Sequence, residues 1–74
     1  MSTEERVKKI LMGIGIGKNE IAPEKTLRDQ LGVDSAEMVE IVVALEKEFN
    51  IKIPAEKVAE LKTIQDIINF VGNQ

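Results

Sequence analysis

The stretch Ser35-Ala-Glu-Met-Val-Glu-Ile-Val-Val-Ala-Leu-Glu-Lys-Glu-Phe49 decides the fold. Its apolar residues Met38, Ile41, Val42, Leu45 and Phe49 recur at helical spacing, so the segment predicts an amphipathic helix with that stripe facing a core. Asp34 and Glu37 have the spacing of an N-terminal cap, and Asn50 supplies a stop. Ala36, Glu40, Val43 and Lys47 point away from the core stripe, with Val39 at its flank.

A single apolar stripe needs partners, and the flanking sequence offers them. Upstream, Val7, Ile10, Leu11 and Ile14 predict a helix over roughly Thr3 to Met12, with Ser2 and Glu5 as a capping box. Gly13, Gly15 and Gly17 should end it, because glycine weakens helix interiors. Residues 15 to 34 read as a long, partly ordered connection that Ile21, Leu27, Leu31 and Val33 pin to the core. A connection this long in a small domain hints at function. Downstream, Ile51 and Ile53 reach inward from an extended link. Pro54 suits the first turn of a short helix containing Val58 and Leu61. Thr63 with Asp66 caps a last helix, in which Ile64, Ile67, Ile68 and Val71 share a face and Gly72 ends the run. The expectation is an all-α bundle of three main helices plus a short third one, forming one domain over residues 1 to 74.

Composition narrows the chemistry. A chain of 74 residues supports one small, weakly stabilised core. Apolar residues make up 43% and aromatics only 3%, namely Phe49 and Phe70, so the core is almost wholly aliphatic. There is no cysteine and no histidine. The commonest metal ligand and the usual neutral-pH general base are therefore missing, and a self-contained hydrolase is disfavoured. No basic leader precedes an apolar run and no apolar stretch approaches spanning length, which points to the cytoplasm and away from membranes.

The net charge of −3 is unevenly placed. Residues 1 to 33 carry six basic and five acidic side chains, and residues 50 to 74 carry three of each. Residues 34 to 49 carry Asp34, Glu37, Glu40, Glu46 and Glu48 against Lys47 alone. An acidic strip repels nucleic acid and favours basic protein partners.

Two motifs fail on inspection. Gly13-Ile-Gly-Ile-Gly17-Lys18 lacks the spacing of a phosphate-binding loop: Met12 stands where its first glycine belongs, and Asn19 follows the lysine. No stretch of carboxylates has the alternation and glycine of a calcium loop, so no metal site is expected.

That leaves Asp34-Ser35. The residues alone leave two readings open. One is a helix cap and nothing more. The other is an exposed hydroxyl at a helix N-terminus, where an attached phosphate meets free N–H groups and the positive end of the helix dipole. No histidine or lysine adjoins Ser35 to activate it, so a second protein would have to modify it.

Leu31-Gly-Val-Asp-Ser35, followed by Val39-Glu-Ile-Val-Val-Ala-Leu-Glu-Lys-Glu-Phe49 and Ile51-Lys-Ile-Pro54, resembles the bacterial acyl carrier proteins. The likeness runs from Glu4-Glu-Arg-Val-Lys-Lys-Ile10 to Phe70. It implies a four-helix bundle that is a carrier rather than an enzyme. It implies 4′-phosphopantetheine, drawn from coenzyme A, on Ser35, with Asp34 as the flanking motif residue. It implies a phosphopantetheinyl transferase as one partner. Acyl-transferring or condensing enzymes with basic docking surfaces are the others, met by a monomer through its second helix. The contact residues on that helix are then Ala36, Glu37, Val39, Glu40, Val43, Glu46 and Lys47. Three of them depart from the family pattern: Ala36 where leucine is usual, Val43 where methionine is usual, and Lys47 where an acid is common. The cargo implied is an acyl thioester of fatty-acid or polyketide biosynthesis. The alternatives are an aminoacyl, D-alanyl or peptidyl carrier, or, in a different class, an unmodified helical interaction module.

Met38, Val42, Leu45, Ile53, Val58 and Leu61 are first of all core. An aliphatic core without Trp or Tyr can also part to admit an alkyl chain, each buried methylene contributing about 0.8 kcal/mol. These six residues are the expected acyl-chain pocket.

Overall fold

The computed structural model describes all 74 residues. It holds four helices: α1 (Thr3–Gly13), α2 (Ser35–Phe49), α3 (Ala55–Val58) and α4 (Ile64–Gly72). A single 3-10 turn at Lys18–Glu20 interrupts the α1–α2 connection. No helix is long and apolar enough to cross a membrane.

Each long helix opens with the reciprocal cap that the sequence predicts. Ser2 pairs with Glu5, Asp34 with Glu37 and Thr63 with Asp66. In each pair one side chain accepts from the N3 backbone N–H and the other from the cap backbone N–H, which satisfies two otherwise orphaned donors. The C-termini are equally legible. α1 closes with the Ile16 N–H returning to the Leu11 carbonyl (3.1 Å) and the Gly15 N–H to the Met12 carbonyl (3.0 Å). Gly15 sits at φ +104°, a left-handed value that glycine adopts without penalty. α2 ends on Asn50 at φ 54°, and the Ile51 N–H turns back to the Glu46 carbonyl.

α3 differs from expectation. Pro54 is the residue before the helix, and Leu61 lies beyond its end at Val58. The Glu60 and Leu61 N–H groups bond three residues back, to Lys57 and Val58, so the chain tightens into a turn. Leu61 is still buried, delivered by that turn.

Twelve side chains are buried, and none is polar or aromatic. α1 gives Val7 and Leu11, α2 gives Met38, Ile41 and Leu45, and α4 gives Ile64, Ile67 and Val71. Leu27, Val33, Ile53 and Leu61 come from the connections. Phe49 and Phe70 pack at the margin of this core. Arg6 lies over the Phe49 ring, 4.2 Å from its centroid, and donates to the Glu48 carboxylate and carbonyl at 2.7 Å each. These contacts tie α1 to the end of α2.

The α1–α2 connection is tied down more fully than its spacing predicts. Leu27 and Val33 are buried anchors; Ile21 and Leu31 are half-buried. The Leu27 N–H donates to the Lys62 carbonyl (2.9 Å), Ile64 to Lys25 (3.1 Å) and Gln65 to Pro23 (2.8 Å). Thr26 and Thr63 thus form an antiparallel bridge. Backbone groups that a loose loop would leave to water are paired with the α3–α4 link.

Candidate functional site

Asp34 is extended, at φ −91° and ψ −179°, and its carboxylate accepts from the Glu37 N–H at 2.8 Å. The Glu37 carboxylate accepts from the Asp34 N–H at 3.0 Å. The Asp34 carbonyl takes the first intrahelical bond, from Met38. This geometry fixes Ser35 as the first residue of α2, exposed. The N–H groups of Ser35 and Ala36 have no carbonyl four residues back within the helix, so they point out of its N-terminus. An anion joined to the Ser35 hydroxyl meets these two donors and the helix dipole.

Ser35 opens onto a groove of about 300 Å³ that it lines with Arg28, Met38, Val39, Val42, Val43 and Val58. A second, larger groove of about 380 Å³ shares Arg28, Met38 and Val58. It adds Thr26, Asp29, Ala59, Leu61 and Lys62. Of the six residues expected to form an acyl pocket, Met38, Val42 and Val58 border the groove at Ser35. Leu61 borders the second groove. Leu45 and Ile53 are buried and border neither of the two.

Five of the seven residues expected to make partner contact on α2 are exposed, and Glu37 and Glu46 are not. Ala36, Glu40 and Lys47 are exposed, and Val39 and Val43 are 62% and 43% exposed. Isolated exposed valines are ordinary; two on one helical face beside a groove form an apolar contact strip. Glu37 and Glu46 are half-buried and already engaged. Glu37 caps α2, and the Glu46 carboxylate accepts from the Ile53 N–H at 2.8 Å. Glu48 is paired with Arg6. Within the acidic strip, Glu40 alone has neither a hydrogen bond nor an ion pair, so it is the mobile charge of that face.

Arg28 carries no signal in the sequence that marks it as a site residue. It is one of three basic residues in the α1–α2 connection, with Lys18 and Lys25, and no periodicity singles it out. Only the bridge at Thr26 and the buried side chains of Leu27 and Val33 bring it to the start of α2. No cluster of three or more acidic side chains is arranged to hold a metal ion.

The arrangement offers no acid, base or nucleophile pair. It offers an exposed hydroxyl at a helix N-terminus and a largely apolar groove that opens beside it. A family model described as a phosphopantetheine attachment site matches residues 5–71.

Proposed function

The chain belongs to the phosphopantetheine-attachment family, whose members bear 4′-phosphopantetheine on a serine and are generally carriers rather than catalysts, and on that premise we propose that this protein carries acyl intermediates on an arm joined to Ser35. The observation that supports it is the exposed Ser35 at the capped N-terminus of α2, opening directly onto an apolar groove.

The modifying step belongs to a transferase. The Ser35 oxygen attacks the β-phosphorus of coenzyme A. A P–O bond to serine forms, the pyrophosphate bond breaks, and adenosine 3′,5′-bisphosphate leaves. The serine proton goes to a base of the transferase, since this chain has no histidine and sets none of its own bases against Ser35. The Ser35 and Ala36 N–H groups then face the new phosphodiester. Cargo is held as a thioester on the terminal thiol of the arm.

The valine-lined groove favours an acyl cargo of the fatty-acid or polyketide type over an aminoacyl one, because an ammonium group buried there would be unpaired. Partner enzymes dock on the outward side of α2, with Glu40 steering encounter and Val39 and Val43 making contact.

The test is intact mass after incubating the unmodified protein with coenzyme A, magnesium and a broad-specificity transferase. Wild type should gain one phosphopantetheine. Ser35→Ala should gain none while keeping its helical signal. Addition to Ser35→Ala at Ser2 or elsewhere sinks the assignment, and no addition to wild type leaves the unmodified interaction module as the reading.

A further inference from the structure

Arg28 is the one charged residue in the groove beside Ser35; the rest of that lining is Met38 and four valines. Its side chain is free. The ion pairs of the molecule are Arg6–Glu48 and Lys57–Glu60, and neither involves Arg28. Asp29, its neighbour in sequence, borders only the other groove. Arg28 is exposed and holds neither an ion pair nor a side-chain hydrogen bond, so its guanidinium is available to an anion that enters this groove.

We propose that Arg28 is a positioning residue for the arm: its guanidinium pairs with the phosphodiester on Ser35 and lays the arm into the groove between α2 and Val58. This rests on Ser35 being the attachment residue, since the phosphate is then tethered at the mouth of the groove that Arg28 borders. A planar guanidinium matches the two free oxygens of a phosphodiester and forms short charge-assisted hydrogen bonds with them. The Ser35 and Ala36 N–H groups face the phosphate from the helix terminus, and Arg28 faces it from the loop. Held between the two, the arm leaves Ser35 along the valines instead of projecting into solvent. Arg28 also borders the second groove, so a pairing at this point sets the direction in which cargo approaches both.

The experiment uses the full chain as wild type, Arg28→Ala and Arg28→Lys, each loaded to completion with a transferase in excess and checked by intact mass. Three signals are read: the ³¹P resonance of the phosphodiester, the Arg28 Nε–H resonance before and after loading, and the melting temperature. The Arg28 Nε–H signal should move on loading. The ³¹P resonance should shift between wild type and Arg28→Ala, with Arg28→Lys in between. Raising salt from about 0.01 M to about 1 M shortens the screening length from about 30 Å to about 3 Å, and should carry the wild-type ³¹P signal toward that of Arg28→Ala. Melting temperatures of the unloaded proteins should agree, because Arg28 makes no contact that holds the fold. An unmoved Nε–H signal together with identical ³¹P signals in wild type and Arg28→Ala overturns the pairing while leaving the carrier function intact. If wild type gains no mass at Ser35, the function proposal fails and this one falls with it.

Discussion

Replacing Asp34 by alanine separates what this residue does for the helix from what its charge does for recognition. The Asp34 carboxylate accepts from the Glu37 N–H at 2.8 Å, and the reciprocal bond from the Asp34 N–H to Glu37 survives the substitution, because it uses only the backbone of residue 34. Half of the capping box is lost. An N-cap side chain replaced by alanine costs about 1 kcal/mol, and removal of a negative charge from a helix N-terminus about 0.3–1 kcal/mol more. The expected destabilisation is therefore about 1–2 kcal/mol. A core of this size supplies little more than about 3–5 kcal/mol in total. At about 4–8 °C per kcal/mol for a domain of this length, thermal melting followed by far-UV circular dichroism resolves the change easily. Asp34→Asn is the control. Asparagine caps as well as aspartate, so this variant loses only the charge contribution and should melt close to wild type. Transferase kinetics supply the second readout: if the carboxylate is recognised, both variants load slowly, although only one is unstable. Two results would refute the reasoning. If Asp34→Ala melts with wild type, the cap contributes nothing. If Asp34→Asn is as unstable as Asp34→Ala, the stabilisation comes from charge and not from the hydrogen bond.

Further expectations concern the acids, the grooves and pH. Glu46→Ala should cost about 1–3 kcal/mol in chemical denaturation, because the N–H of buried Ile53 loses its acceptor, whereas Glu46→Gln should cost less. Glu40→Lys should stay within about 0.5 kcal/mol of wild type yet slow transfer to partner enzymes and flatten its salt dependence; unfolding by this change would make Glu40 structural. Octanoyl-loaded protein should melt above the unacylated form, since about 0.8 kcal/mol per buried methylene offsets the opening of the bundle. Its amide shifts should cluster at Met38, Val42, Val58 and Leu61, and unchanged shifts with an unchanged melt would show that the chain stays in solvent. The Thr63 N–H, and with it the Lys62 N–H, donates to the Asp66 carboxylate and holds its pKa below the ordinary value, against the opposing effect of burial. A carboxyl lowered in the folded state stabilises above its unfolded value, near 4, and that stabilisation is lost as pH falls through the lower folded value. Melting temperature should therefore drop below about pH 4, and less steeply for Asp66→Asn; parallel curves for the two proteins would refute the link.

What the sequence made legible was local. Ser2 with Glu5, Asp34 with Glu37 and Thr63 with Asp66 announce three helix starts, because a capping box is a contact between residues three apart. Asn50 and the glycines after Met12 announce ends for the same reason. The stripe from Met38 to Leu45 announces the core. Ser35 stood out through its place at a cap and through a family resemblance. Arg28 did not, because its neighbours in space are set by hydrogen bonds between residues 23–27 and 62–65 that leave no periodic trace. The short helix ends before its apolar pattern does for a related reason: Leu61 is buried, as its apolar character suggests, but a turn carries it there. Glu46 reads as surface charge, yet its carboxylate accepts from the Ile53 N–H, a bond that no spacing rule foretells.

The pairing of residues 23–27 with 62–65 gives the cavity walls of unequal origin. One wall is α2, held by hydrogen bonds between near neighbours in the chain. The other is a short ribbon where residues 23–27 and 62–65 pair antiparallel around the Thr26–Thr63 bridge, with Arg28 and Leu61 together at one end, and its rungs exist only while both segments stay in register. The second segment runs directly into α4, whose Ile64, Ile67 and Val71 are seated in the core. Unseating α4 therefore dismantles the ribbon as well, and with it the wall that faces α2. The groove is in this sense a collective property: it has no separate latch, and it lasts as long as the last helix remains docked.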